Sequence, residues 1–201
     1  KKDSQFSYDY TANVEQCTKL RALRDDLRAL RAADPTCSCV VFTHHREMHS
    51  EIVKMLKADD SSPTVGPRAP SRPPMRVYEM DGSTDATKRH DAVREFQFRG
   101  SSDKAAKVLV VTLRIGAVGM TLTGASRVYI MEPAFNPAVE VQAAGRIHRL
   151  GQSKSVLIKR FAFRQSLDEQ IIRLHGALAA GQVQVRDGVF PVDGVQMLTR
   201  Q

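Results

Sequence analysis

The sequence is poor in cysteine, in long apolar runs and in phosphate-gripping loops, and each shortage closes off a class of protein. Three cysteines, Cys17, Cys37 and Cys39, are too few and too oddly spaced for a disulfide framework. Cys37-x-Cys39 without a second pair is not a zinc signature either, and Cys39 is expected to pack within a strand. A reducing, intracellular setting follows. No apolar stretch reaches the roughly 20 residues that a membrane-crossing helix needs. The opening Lys1-Lys2-Asp3-Ser4-Gln5 is polar and has no signal-peptide core. It starts on lysine, as expected of a piece cut from a longer protein. There is no Gly-x-x-x-x-Gly-Lys-Ser/Thr loop and no Asp-Glu-x-His box, so an independent nucleotide hydrolase is not expected. His44-His45 has no third ligand at metal spacing, so no metal site is expected.

What is present is charge and periodicity. Lys and Arg number 30 against 22 Asp and Glu, a formal net charge of +8. That balance favours a polyanionic partner, nucleic acid before membrane, although a solvated basic surface gives the same number. Hydrophobic residues make up 42% of 201, enough for one α/β domain with a sizeable core. Residues 1–17 show no period and read as a connecting arm. Leu20, Leu23, Leu27 and Leu30 recur at three and four residues, which predicts an amphipathic helix from Thr18 to Ala33, ended by Asp34-Pro35. The apolar run Ser38 to Thr43 predicts a buried strand. Helix is expected at Glu47 to Lys57, strand at Arg76 to Met80, and helix at Thr87 to Phe98 with Val93 and Phe96 inward. Strands follow at Lys107 to Thr112 and Arg127 to Met131, then a helix at Pro137 to His148, a strand at Ser155 to Phe163 and a helix at Ser166 to Leu178. Between them, residues 59–75 are Ser-, Pro- and Arg-rich and read as a flexible insertion. Residues 179–201 form a tail with no firm assignment. Strands alternating with helices predict a mostly parallel sheet flanked by helices on both faces. In such sheets ligands gather at the carboxyl ends of the strands, which directs attention to the loops after Thr43, Met80, Thr112 and Met131.

Three stretches carry the chemistry. In Gln142-Ala-Ala-Gly145-Arg146-Ile-His-Arg149-Leu-Gly-Gln152, helical spacing would put Gln142, Arg146 and Arg149 on one face. Two guanidiniums and an amide there suit a phosphate gaining charge, although a basic helix end has the same composition. In Thr112-Leu-Arg114-Ile-Gly116-Ala-Val-Gly119-Met-Thr-Leu-Thr123, glycines let backbone amides approach a phosphate and hydroxyls add donors. An ordinary tight connection would also read this way. In Asp81-Gly-Ser83-Thr84, a tight turn leads into a helix that Ser83 or Thr84 can cap, and its amides can hold a phosphate. Ser166 with Glu169 is a capping box, and Asn136 before Pro137 is a helix cap.

These strings come in a fixed order, and together they resemble the second RecA-like lobe, the helicase C-terminal domain, of SWI/SNF-type DNA-dependent ATPases. The resemblance covers roughly residues 18–178. The His-Arg-x-Gly-Gln ending is similar to that branch of superfamily two. The Thr112–Thr123 string resembles its Ser/Thr-Leu-Lys-Ala-Gly-Gly-x-Gly-Leu-Asn-Leu-Thr motif, with Arg114 for Lys, Ala117 for Gly and Thr121 for Asn. Met131-Glu132-Pro133-Ala134-Phe135-Asn136-Pro137 resembles its Asp-Pro-x-Trp-Asn-Pro. Ala-Ser-Arg-Val-Tyr-Ile-Met-Glu-Pro leans toward the post-replication-repair and helicase-like transcription factor branch.

The resemblance implies a RecA-like three-layer fold and an ATP-dependent double-stranded DNA translocase or chromatin remodeller. It makes Arg146 and Arg149 arginine fingers with Gln142 assisting. Gly116, Gly119 and Gly145 line the ATP cleft, and Thr43, Ser83, Thr84, Thr112, Arg114 and Thr123 meet the DNA backbone. ATP and Mg2+ would sit at the inter-lobe cleft, held mainly by an N-terminal RecA-like lobe that this chain lacks, so the chain alone is expected to be inactive. The implied partners are that lobe and double-stranded DNA, with nucleosomes one form of it and no membrane. The implied location is the nucleus. Two alternatives stay open: a lobe of another superfamily-two helicase, and a non-catalytic DNA-binding scaffold.

Overall fold

The computed structural model describes residues 17–61, 74–116 and 119–182. Its elements run α1 (Thr18–Ala33), β1 (Ser38–Thr43), α2 (Arg46–Ser61), β2 (Met75–Met80), α3 (Ala86–Gln97), β3 (Ala106–Thr112), α4 (Leu113–Gly116), β4 (Arg127–Ile130), α5 (Pro137–Ala144), β5 (Leu157–Arg160) and α6 (Leu167–Ala179). The five strands form one sheet in the order β2-β3-β1-β4-β5, and every pairing is parallel.

The central strands explain the layering. β1 and β3 are buried along their whole length, which is why both read as apolar runs rather than as alternating ones. Successive side chains of a strand point to opposite faces. Cys39, Val41, Val108, Val110 and Tyr129 therefore pack with Leu20, Leu23 and Leu27 of α1 and Ile52, Val53 and Leu56 of α2. Val40, Phe42, Leu109, Val111 and Val128 pack on the other face with Phe96 of α3, Ala143 of α5, and Leu122 and Ile147 from the loops. The result is the three-layer α/β RecA-like arrangement, helices on both faces of a parallel sheet. Burial pushes the Cys37 thiol up to about 11, and Cys39 is fully buried within β1.

Ion pairs tie α1 to the rest. Asp26 of α1 accepts the Tyr129 hydroxyl at 2.6 Å and pairs with Lys159 of β5. Burial pushes Asp26 up, but the bonds from Lys159 and Tyr129 outweigh it and hold the carboxyl below its usual range. Lys19 reaches Asp168 at 2.6 Å and the Met131 carbonyl at 2.9 Å, fastening α1 to α6 and to the end of β4.

Most element ends shift by a few residues, as where β5 covers Leu157–Arg160 rather than Ser155 to Phe163, and two helix ends move by four. α2 runs on to Ser61, so Asp59, Asp60 and Ser61, expected at the start of the insertion, are helical. Their charges have partners: Arg28 and Arg31 of α1 pair with Asp59, and Arg31 reaches Asp60 at 3.1 Å. Residues 62–73 of the expected insertion lie outside the described residues, as do 1–16 of the arm and 183–201 of the tail. α5 stops at Ala144, four residues before His148. Gly145 follows and caps it, with its amide on Val141 O at 2.8 Å, and Ile147 is drawn fully into the core.

The Arg31–Asp59 pair is nearly dry, with side-chain exposures of 3% and 5%. Removing one member of a buried pair leaves the other charge uncompensated, at a cost of about 3–5 kcal/mol. Arg31 keeps Asp60 at 3.1 Å, so Asp59→Ala is expected to lose stability at or below the lower end of that range in urea unfolding. Glu51→Ala, which breaks the exposed Lys54–Glu51 pair, should change stability by less than about 1 kcal/mol.

Candidate nucleotide and nucleic-acid interface

The carboxyl ends of β2, β3, β1 and β4 deliver four loops to one edge of the sheet. Register sets Thr43 opposite Thr112, and Phe42 opposite Ile130. Both threonines were expected to meet DNA. In this structure Thr43 is fully buried and Thr112 is 8% exposed. The Thr43 hydroxyl donates to Glu132 Oε2 at 2.9 Å, and the His44 amide donates to the same oxygen at 2.9 Å. Thr43 thus joins the ends of β1 and β4 internally instead of presenting its hydroxyl to solvent. His44 is exposed overall, but its ring is partly desolvated. That desolvation, with His45 beside it, holds its pKa below the usual histidine range despite Glu132 and Glu140, so it is neutral at neutral pH.

After β2, Asp81 organises the turn. Its Oδ1 accepts from the Ser83 hydroxyl at 2.6 Å, the Ser83 amide at 2.9 Å, and the Thr84 amide and hydroxyl at 3.2 Å each. The Ser83 hydroxyl, followed by the other turn bonds and Arg46, holds the Asp81 carboxyl down at about 2, against a smaller push from burial. The cap of α3 is Asp85, which accepts the Lys88 amide at 2.9 Å, and not Ser83 or Thr84 as the sequence suggested. Both hydroxyls are already engaged by Asp81, which leaves the cap to the next acid along.

The segment after β3 holds α4, with Arg114 exposed on it and Gly116 as its last residue. Ala117 lies outside the described residues. Gly119 is exposed at φ +52, a left-handed conformation that glycine takes without strain, and nothing lies within 4 Å of where a Cβ would stand. The turn that follows is clamped from two sides. From α3, Gln97 donates to Thr121 O at 2.8 Å and accepts the Gly124 amide at 2.7 Å. A Cβ at Gly124 would meet Gln97 Oε1 at 2.9 Å, so a larger residue there would displace the glutamine side chain that clamps the turn. From the other side, Gln152 Nε2 donates to Thr123 O at 3.0 Å, Ala125 O at 2.7 Å and Ile147 O at 3.2 Å. The Leu122 amide donates to Arg146 O at 2.8 Å, and Arg149 donates to the Thr121 hydroxyl at 3.2 Å.

Because α5 ends at Ala144, the residues expected on one helix face are split. Gln142 lies exposed in the last turn of α5, and Gly145 is its cap in αR geometry. Arg146, half-buried, and Arg149, exposed, follow on an irregular segment. Helical spacing therefore does not orient them; instead the Arg146 carbonyl accepts from the Leu122 amide and the Arg149 side chain donates to the Thr121 hydroxyl. Sequence reasoning missed Gln97, which carries no motif, and Glu140. Glu140 is 1% exposed, accepts the Ala134 amide at 2.7 Å and pairs with Arg160, bracing the turn between β4 and α5. Asn136 caps α5 as expected, accepting the Ala138 amide at 2.9 Å.

This edge combines guanidiniums, a positive-φ glycine turn and hydroxyls, a donor set that fits phosphate oxygens. Among the described residues, no cluster of three acids, histidines or cysteines could hold a metal ion. No described helix is long and apolar enough to cross a membrane. The chain belongs to the family described as the helicase conserved C-terminal domain, matched over residues 18–151. Its relatives are SWI/SNF-type helicases. It is 33% identical over 156 residues to DNA repair protein RAD5 of Gibberella zeae and 32% identical over 167 residues to the helicase-like transcription factor of Mus musculus. It is also 34% identical over 158 residues to a putative SWI/SNF-related matrix-associated actin-dependent regulator of chromatin, subfamily A member 3-like 1, of Arabidopsis thaliana. The three matches cover 78%, 82% and 78% of this chain but 12%, 15% and 16% of those proteins. Among solved structures, the C-terminal part of the Fun30 ATPase domain aligns at a TM-score of 0.68, over 94% of this chain and 54% of that one. At 22% identity that likeness shows the fold.

The Asp81 turn gives a pH-dependent prediction. Its folded-state carboxyl titrates at about 2, below the ordinary value. Its contribution is therefore complete above the unfolded carboxylate range and is lost as pH falls from about 4 through 2. Asp81→Ala is expected to cost about 1–3 kcal/mol at neutral pH. In acid titrations followed by circular dichroism, the gap between wild type and variant should close between pH 4 and pH 2.

Proposed function

We propose that this lobe is the C-terminal half of an ATP-dependent double-stranded DNA translocase of the SWI/SNF type, in a nuclear protein that remodels chromatin or repairs DNA. ATP with Mg2+ binds at the cleft toward an N-terminal RecA-like lobe, which supplies the phosphate loop and the metal ligands. Arg146 and Arg149 reach the triphosphate from this side, where their fixed charge stabilises the phosphoryl group as it gains charge, and Gln142 assists. Gly116, Gly119 and Gly145 let backbone approach the cleft. Arg114 and Thr123 contact the DNA backbone, which makes binding independent of sequence, while Ser83 and Thr84, whose donors Asp81 holds, shape the turn at the same edge. Thr43 and Thr112 act from within, holding the strand ends from which those loops depart.

The observation that carries this reading is the shared hydrogen bonding of the two segments. Leu122 N–H binds Arg146 O, Arg149 binds the Thr121 hydroxyl, and Gln152 binds three carbonyls across both. A shift of the 121–125 turn under DNA therefore moves the finger-bearing segment with it. Arg149 is exposed and held by a single neutral acceptor, so releasing it toward a phosphate costs little. The relatives' names, a DNA repair protein and a SWI/SNF-related regulator of chromatin, agree with this reading.

The test is DNA-stimulated ATP hydrolysis by the complete two-lobe protein. Arg149→Ala is expected to lower the stimulated turnover about 10³-fold, on the scale of other arginine fingers, while ATP still binds. Turnover within a few-fold of wild type would remove Arg149 from the finger role.

A further inference from the structure

The last residue of α3 reaches across to the turn that Arg149 meets. Phe96 and Leu122 are buried in the same half of the core, so the end of α3 and this turn lie against one another. Gln97 follows Phe96 and closes α3. Its carboxamide uses both ends on the turn: Nε2 donates to Thr121 O at 2.8 Å, and Oε1 accepts the Gly124 amide at 2.7 Å. A planar amide bonded at both ends to one stretch of main chain fixes its position and tilt, where a single bond would let it pivot.

Thr121 carries the next link. Its carbonyl accepts from Gln97, and its hydroxyl accepts from Arg149 Nη1 at 3.2 Å. Threonine is branched at Cβ and stiff at χ1, so placing its main chain also places its hydroxyl. Arg149 is exposed and lies beyond the end of α5, with no helix to direct it.

We propose that Gln97 is a positioning residue for Arg149, acting through Thr121. Held at the end of α3, it fixes the Thr121 main chain, and the Thr121 hydroxyl then holds the guanidinium ready at its side of the cleft. The arginine thereby gains a support from α3, on the side of the turn opposite Gln152. This role rests on the finger role given to Arg149 above. The same geometry offers a second way to break the contact. A Cβ at Gly124 would meet Gln97 Oε1, the far end of a flexible side chain, and would turn the glutamine out. Gly124 is not among the glycines of positive φ, so alanine fits its backbone.

The test is a double-mutant cycle on DNA-stimulated ATP hydrolysis by the complete two-lobe protein. Gln97→Ala is expected to lower kcat about 10- to 100-fold, the scale of a small misplacement of a reacting group, with the KM for ATP changed less than about twofold. In an Arg149→Ala background the same substitution should change kcat by less than about twofold, because a residue that acts through Arg149 has nothing left to place. Gly124→Ala leaves Gln97 in the chain and should reproduce both results with a thermal midpoint close to wild type. If Gln97→Ala does not fold, the Gly124→Ala cycle decides by the same criteria. Wild-type kcat, a rise in KM alone, or an equal fold-loss with and without Arg149 overturns the positioning role and leaves the finger role standing. Arg149→Ala turnover within a few-fold of wild type overturns the finger role and the positioning role together.

Discussion

The backbone between β3 and β4 has to turn at the sheet's carboxyl edge without a strand to pair with, and two glutamine amides make that possible. The Thr121, Thr123 and Ala125 carbonyls and the Gly124 amide would otherwise lack these partners at a half-buried turn, where an unmet polar group is expensive. Gln97 supplies one donor and one acceptor from α3, and Gln152 supplies donors from the segment after α5. Because Gln152 also binds Ile147 O, the turn and the arginine-bearing segment are built as one piece. The coupling proposed between DNA and nucleotide follows from that economy of hydrogen bonds.

The sheet supports this arrangement by being stiff where the loops depart. β1 and β3 are buried on both faces and in register to their last residues, so Thr43 and Thr112 end side by side. Glu132 closes the neighbouring gap by accepting from Thr43 and His44, and Glu140 with Arg160 closes the next one. Loops leaving such an edge can move without disturbing the core.

Much of the fold was legible in the sequence because its strongest signals are local. β1 and α1 fall on the expected residues because an uninterrupted apolar run and a three-four repeat each admit one reading. The caps at Asn136 and Ser166 were legible for the same reason. The misplaced ends were decided by distant partners. α2 extends because Arg28 and Arg31, some thirty positions earlier, pair with its acids, and no local pattern encodes that. α5 ends early because Ile147 is needed in the core and Arg146 O is needed by Leu122. Periodicity alone would have carried the helix onward. At the site, the motif strings pointed to the family, and the match over residues 18–151 bears out that resemblance. They did not reveal that Thr43 faces inward or that Gln97 belongs to the site, because those facts depend on which chain lies opposite.

The central claim is that one hydrogen-bonded unit joins the DNA-facing turn to the finger-bearing segment. The most direct measurement is the ratio of DNA-stimulated to basal ATP hydrolysis in the complete protein carrying Gln152→Ala, with folding, DNA binding and ATP binding measured alongside. The account predicts that both ligands still bind and that the ratio falls about tenfold or more, within the range of coupling free energies between linked sites. A folded variant that binds both ligands and keeps the wild-type ratio would contradict it.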